Sequence, residues 1–409
     1  MINIPNEYSK LEKVIIHRPG REIDRLTPDN LQELLFEDIP YLKRMQSEHD
    51  EFAKILTEND VEVLYLQELL KPCLEQNDIL NNMLTFVCGE TNQFSLIRYL
   101  TDKSLFSINE LVDILYAGLT IKELEEKTGD KITSPHEESD FFLIKPIPNS
   151  YFTRYPAAAI GSGIISCKMH YNARLRESYI VREIFKNTDS LKPTDFYFGD
   201  RPNEDRPFTI EGGDVIVLSE NAIAVGCSER TRSESIRKFA TNVFNSPSKI
   251  TRVYEIYIPA KRAYMHLDTV FTVVDEGLVV AFPDVMNDIK EVVRYEPMLI
   301  HGDNIVSIPI NDNRSFNNIL KDEFGHLTVI STGNNKPSYA SREQLADGTN
   351  VFAIAPSKVI TYERNIHTNE ALLANGVSIL NLSGSELVRG LGGPRCMTMP
   401  IHRNSNPIK

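Results

Sequence analysis

Three short segments of this chain carry residue types that could do chemistry. Ile210-Glu211-Gly212-Gly213-Asp214 sets two acids around a glycine pair, and adjacent glycines allow positive φ or close approach of backbone to a ligand. Taken alone, it reads more readily as a tight turn with two solvated acids. Met265-His266-Leu267-Asp268-Thr269 enters a predicted strand. His266 and Asp268 are two apart, so on an extended chain both project to one side. An imidazole exchanges protons near neutral pH, and a neighbouring carboxylate can hold a cation or raise the imidazole pKa. The pair also reads as a polar strand end, or as two ligands of a metal whose remaining ligands no second local motif supplies. The third segment is Arg389-Gly390-Leu391-Gly392-Gly393-Pro394-Arg395-Cys396-Met397. A thiol between glycines and arginines can have exposed backbone donors and a lowered pKa. A lone cysteine is more often an inert, buried one, and Cys73, Cys88, Cys167 and Cys227 read that way.

Joined, the three segments suit one difficult reaction. A guanidinium carbon is a poor electrophile because resonance stabilises it. Hydrolysing it takes a strong nucleophile, a proton donor for the departing ammonia, and carboxylates to hold the cation; a thiolate, an imidazole and several acids form that set.

The elements that position these segments repeat one order: two strands, a helix, a strand. In one copy, strands over Asp214–Ser219 and Ala222–Gly226 precede Thr231-Arg232-Ser233-Glu234, a capping-box spacing. A helix follows with Ile236, Phe239, Ala240, Val243 and Phe244 on one stripe, and Arg252–Ile258 returns as a strand. A second copy runs through a hairpin of Asn350–Ala355 and Lys358–Tyr362, a helix from Thr368 to Asn375 stopped by Gly376, and a strand at Val377–Leu380. A partial third comprises strand Leu11–His17, helix Tyr41–Glu58 and strand Val61–Leu66. A further hairpin lies at Thr269–Asp275 and Gly277–Phe282. Modules repeated in this way pack around a common centre, with the loops before each hairpin aimed inward. Residues 70–138 differ: Leu80, Met83, Leu84, Leu111, Ile114, Leu115, Leu119 and Leu124 suit helices, and the segment reads as a helical insertion. Beyond Ser383 the chain is Gly-rich and reads as an ordered functional loop.

Composition narrows the class. With 409 residues, 41% of them apolar, the chain can bury a large core and can be one domain over 1–409. A net charge of −13 and a pI near 5.3, with no Lys/Arg-rich run, argue against a nucleic-acid partner. The N-terminus has no signal-peptide pattern, and no apolar run approaches the ~20 residues that span a bilayer. Five scattered cysteines without a C-x-x-C pair point to a reduced, soluble, cytoplasmic protein.

Four motifs in order, Phe36-Glu37-Asp38-Ile39-Pro40, Ile210-Glu211-Gly212-Gly213-Asp214, Met265-His266-Leu267-Asp268-Thr269 and Gly392-Gly393-Pro394-Arg395-Cys396, together resemble the arginine deiminases. The resemblance runs over nearly the whole chain, from the first strand with its His-Arg-Pro to Cys-Met-Thr-Met-Pro. It implies an α/β fold: a five-bladed pseudo-symmetric α/β propeller of ββαβ modules with an inserted helical subdomain. It implies hydrolysis of free L-arginine to L-citrulline and ammonia, with Cys396 attacking the guanidinium carbon and forming a thiouronium. His266 would protonate the leaving ammonia and then activate water, Glu211 would orient and charge His266, and Asp268 would hold guanidinium nitrogens. Asn149, Phe152, Arg174 and Arg230 match the positions for the substrate's α-carboxylate end, with Asp214 among the substrate-binding residues. No metal or organic cofactor is implied, and family members commonly form homo-oligomers.

Two positions depart from the family pattern. The family's Phe-Thr-Arg-Asp reads Phe152-Thr153-Arg154-Tyr155 here, so the second guanidinium-clamping carboxylate is a bulkier, neutral phenol. Losing a buried carboxylate partner of a cation typically costs about 3–5 kcal/mol, enough to cut turnover by orders of magnitude. Leu391 stands where many members carry an Arg that helps with the substrate carboxylate. Three readings therefore stand: an active arginine deiminase; a degenerate paralogue with a binding or regulatory role; and a related guanidine-modifying enzyme, such as an agmatine deiminase or amidinotransferase. Retention of Arg174 and Arg230, both suited to a carboxylate, argues against agmatine, which has none. Retention of Cys396, His266, Glu211 and Asp268 argues against full decay.

Overall fold

A computed structural model of the chain describes residues 1–132, 142–200, 208–259, 261, 264–289, 291–300 and 304–404. Five sheets in it share one construction. An antiparallel hairpin is followed by a helix, and the strand after that helix pairs in parallel with the hairpin's second strand. Ala157–Ile160, Gly163–Ser166 and Phe196–Phe198 form one such unit around helix Leu175–Asn187. Val215–Ser219, Ala222–Cys227 and Arg252–Tyr257 form the next, with helix Ser233–Phe244. Phe271–Asp275, Leu278–Ala281 and Thr328–Ser331 follow with Phe316–Phe324, then Phe352–Ala355, Lys358–Tyr362 and Ser378–Leu382 with Ile366–Ala374. The last unit joins the chain ends. Met399–Arg403 pairs antiparallel with Leu11–Ile16, which pairs in parallel with Glu62–Tyr65 after helix Leu42–Glu58. Parallel neighbours need a crossover of a dozen or more residues, and a helix supplies part of it in each unit.

The apolar stripe Ile236, Phe239, Ala240, Val243, Phe244 is buried along its whole length. The capping box expected before it does not form: Arg232 is the N-cap and no side chain caps the helix. The Thr231 hydroxyl donates to Asp214 Oδ2 instead, at 2.6 Å, so the residue serves the interior rather than the helix end. The segment around His266 also differs from the extended strand expected. His266 is extended, but Leu267–Thr269 is a turn of 3₁₀ helix, so alternation along a strand does not aim His266 and Asp268.

One hairpin has no counterpart in the sequence reading. Val292–Leu299 and Ile305–Asp312 widen the second sheet to five strands. Pro297 and Pro309 interrupt its pattern, since proline cannot donate to a ladder. The register shows how both are tolerated. Pairing with Arg252–Tyr257 stops at Tyr295, leaving Pro297 bonded on one side only, and Pro309 lies on the outer strand. Helices occupy Leu66–Leu74, Asn77–Glu90, Ile97–Leu100, Ile108–Ala117 and Ile121–Thr128. Capping boxes at Ser107/Glu110 and Thr120/Glu123 start the last two. All eight apolar residues singled out there are buried, with Leu119 in a two-residue strand. The end of the expected insertion, 133–138, lies outside the described residues.

Candidate active site

The histidine is held first. Glu211 Oε2 lies 2.7 Å from His266 Nε2, while Glu211 Oε1 accepts from the His170 N–H at 2.8 Å. Burial pushes the Glu211 carboxyl upward, but the hydrogen bond from His266 and the charge of Arg230 outweigh it, holding the pKa at about 2. Glu211 is therefore a permanent anion, and it leaves His266 Nδ1 as the free ring nitrogen, buried and without a hydrogen-bond partner among the described residues. The glycine pair makes this possible by close approach rather than by positive φ, for neither glycine is left-handed. A Cβ on Gly213 would sit 2.8 Å from His266 Cγ and 2.6 Å from Tyr155 Cε1.

Asp214 is fully engaged in framework bonds. It accepts from Ser228 Oγ at 2.7 Å, Thr231 Oγ1 at 2.6 Å and the Leu267 N–H at 2.9 Å, tying the hairpin's start to the His266 segment. Burial raises its pKa to about 6 despite those donors.

Cys396 is held by a second network. Asn350 Oδ1 accepts from the Cys396 N–H at 3.0 Å, and its Nδ2 donates to the Asp268 carbonyl at 3.1 Å, so one amide staples the two loops together. Arg395 donates to Asp268 Oδ2 at 2.7 Å and to Glu7 Oε1 at 3.1 Å. Asp268 Oδ1 is left buried with no partner among the described residues. Cys396 Sγ lies 3.9 Å from Asp268 Oδ2 and 2.6 Å from the Tyr155 hydroxyl, which donates to it. Burial and then the charges of Asp268 and Asp347 push this thiol well above its usual range. A cation placed beside it would act in the opposite direction and favour the thiolate. The thiols of Cys88 and Cys227 are also pushed up by burial, to about 11 and about 12.

A cavity of about 230 Å³ opens onto this centre. Asn149, Phe152, Arg174, Arg230 and Leu391 form its wall, with Tyr155 and His266 at its inner end. Arg174 is braced by Glu177 through bonds of 2.9 and 2.6 Å and lies 4.9 Å over the Tyr155 ring. Arg230 stacks over Tyr171 at 4.5 Å, and its Nε has no partner among the described residues. Leu391 is left-handed, at φ 60°, an uncommon conformation for a residue with a Cβ, and it turns its loop onto the cavity. Cys396 is fully buried and off the cavity wall.

Of the residues expected from sequence, Asn149, Phe152, Tyr155, Arg174, Arg230, His266 and Leu391 line the cavity. Glu211 contacts His266 and Cys396 contacts Tyr155 and Asp268, whereas Asp214, expected among the substrate-binding residues, has both oxygens taken up by framework donors. Sequence reasoning missed Glu7, Asn350 and Asp347. Asp347 is left-handed, buried, and raised to about 8 by burial and the charge of Asp268. The Asp347-Gly348 dipeptide reads as an ordinary turn, so its sequence gives no chemical signal.

Solved structures of low sequence identity define the class of fold. SxtG, an amidinotransferase from Microseira wollei, aligns over 99% of this chain and 98% of its own with a TM-score of 0.56 at 16% identity. DDAH from Pseudomonas aeruginosa, in complex with citrulline, aligns over 95% and 99% with a TM-score of 0.53 at 14% identity. The chain has the α/β fold of these proteins. The family model for arginine deiminase matches residues 32–403. Arginine deiminase from Listeria innocua is 38% identical over 408 residues, 99% of this chain and 98% of its own; that from Oenococcus oeni is 39% identical over 410 residues, 98% and 97% of the two chains. The chain belongs to the arginine deiminase family.

Proposed function

We propose that this chain hydrolyses L-arginine to L-citrulline and ammonia through a covalent intermediate on Cys396. The observation that carries the reading is the convergence of Cys396, His266, Glu211 and Asp268 at the inner end of a cavity whose wall holds Arg174 and Arg230. The α-carboxylate of the substrate pairs with the two arginines. Its guanidinium extends inward to Asp268 Oδ1, and the arriving cation stabilises the Cys396 thiolate. The sulfur attacks the guanidinium carbon. His266, held by Glu211, gives a proton to the leaving nitrogen, and ammonia departs to leave an S-alkylthiouronium. His266 then takes a proton from water as it adds to the same carbon. Collapse of the adduct expels the Cys396 thiolate and releases citrulline.

The resting contact between Tyr155 and Cys396 favours a second reading, a paralogue that binds ligand without turnover. The two diverge in one experiment. Acid-quenching the protein during reaction with L-arginine and mapping the Cys396 peptide gives an adduct on that residue if the first reading holds. Ligand-dependent stabilisation without any adduct, in the presence of excess L-arginine, supports the second.

The five repeated units are consistent with closure of the chain as a five-bladed propeller around the site, with 1–409 as one catalytic domain and 70–138 an insertion within it. The site residues supplied by successive hairpin-leading loops support that arrangement. A cytoplasmic homo-oligomer completes the reading; the five unpaired cysteines support a reducing compartment, and the oligomer rests on family resemblance.

A further inference from the structure

We propose that Tyr155 determines what reaches Cys396: its phenol fills the compartment beside the thiol and must swing toward the cavity before any substrate can react. The proposal rests on the deiminase reading of the site and adds a selecting element to it. Three observations converge. The Tyr155 hydroxyl caps the sulfur at 2.6 Å. Its ring stacks on His266 with centroids 4.4 Å apart and planes at 26°, so one side chain lies against both the nucleophile and the proton carrier. The cavity wall includes Tyr155 and His266 but not Cys396, which places the phenol between the open space and the sulfur.

The ring has a fitted seat and a place to go. Gly213 forms one side of the seat, since a Cβ there would meet Tyr155 Cε1 at 2.6 Å, and the Arg174 guanidinium covers the ring at 4.9 Å. Tyr155 itself lines the cavity of about 230 Å³, the open space toward which the ring would move. The phenol is also the wrong charge to welcome a cation by itself. It stays neutral, because burial and then the charge of Cys396 push its pKa well above that of an ordinary tyrosine. The attraction that moves it comes from beyond, from the unpaired Asp268 Oδ1. A ligand therefore gains access only if it fills the cavity and carries a planar cationic head that can take the phenol's place beside Cys396 and pair with Asp268. A small uncharged electrophile has no such means of displacing the ring.

The test is the rate at which iodoacetamide alkylates Cys396 in the full chain, read peptide by peptide so that the other four cysteines serve as internal controls. The wild type and Tyr155→Phe, which keeps the ring but loses the hydroxyl, are expected to react slowly and within about threefold of each other; Tyr155→Ser is expected to react at least about tenfold faster at Cys396 alone. Should Tyr155→Ser not fold, the wild-type rate against that of the urea-unfolded chain takes its place, with protection of about a hundredfold expected. Equal rates in the wild type and Tyr155→Ser, or wild-type protection absent against the unfolded chain, overturn the proposal. So does Tyr155→Phe reacting as fast as Tyr155→Ser. Citrulline formation is measured on the same preparations. Citrulline with no difference in alkylation sinks the gate and spares the deiminase; the expected alkylation pattern with no citrulline from any variant does the reverse.

Discussion

The two ends of the cavity are built on different terms. At the outer end, Arg174, Arg230 and Asn149 stand on an open wall, with Glu177 bracing one guanidinium and the Tyr171 ring supporting the other. At the inner end Arg395 holds Asp268 Oδ2, the Tyr155 ring covers the His266 ring face and the Tyr155 hydroxyl caps the Cys396 sulfur, while Asp268 Oδ1 and His266 Nδ1 stay without partners among the described residues. On the proposed reading, the outer end receives the amino-acid tail as it stands, whereas the inner end is rearranged to receive the head. Binding and chemistry are therefore separable in this molecule, and substitutions at the two ends should register in different constants.

The largest effect of that kind is expected at the outer end. Arg230→Leu removes a buried guanidinium with an unpaired Nε and should raise KM for L-arginine by roughly 30- to 5,000-fold, the 2–5 kcal/mol typical of truncating one partner of a buried charge pair. Steady-state kinetics check it, and a fall in kcat at unchanged KM would place Arg230 with the inner end instead. Because Arg230 NH1 is also 3.7 Å from Glu211, comparison with Arg230→Lys separates loss of charge from loss of the fork.

A smaller effect, on stability rather than turnover, is expected behind the inner end. Glu7 bonds Arg395 and the Val217 N–H. Burial pushes it up, but Arg395 and Arg154 dominate and lower its pKa from 4.5 to about 2. A depressed carboxylate contributes stability above its unfolded pKa and loses it as pH falls. Glu7→Gln should thus cost about 3 kcal/mol near neutrality, with the difference from wild type disappearing as pH drops from about 4.5 toward 2. Urea unfolding across that window measures it. A difference that persists at the acid end would mean Glu7 acts by packing rather than by charge.

The same contrast explains what could be read from the sequence. The ββαβ order was legible because hydrophobic period and turn residues are local, and the buried stripe from Ile236 to Phe244 lies where its spacing placed it. The residues proposed to do the chemistry stood out because Glu211, His266 and Cys396 each sit in a short motif. Their supports were not. Asn350 and Glu7 lie 46 and 388 residues from the loop residues they hold, and a staple formed only by folding leaves no local pattern. Thr231 misled for the same reason: its spacing to Glu234 suits a cap, but the buried carboxylate of Asp214 has the stronger need for its hydroxyl. Tyr155 was visible as a departure from the family pattern, yet its contact with the sulfur, and its seat on a glycine, depend on two distant loops meeting.

The most direct test of the account is citrulline formation from L-arginine by the purified chain, run beside Cys396→Ala and Tyr155→Asp. The account predicts turnover in the native chain, none in Cys396→Ala, and a higher kcat/KM in Tyr155→Asp, where a carboxylate replaces the capping ring. Citrulline produced equally by Cys396→Ala, or by none of the three proteins, would contradict it.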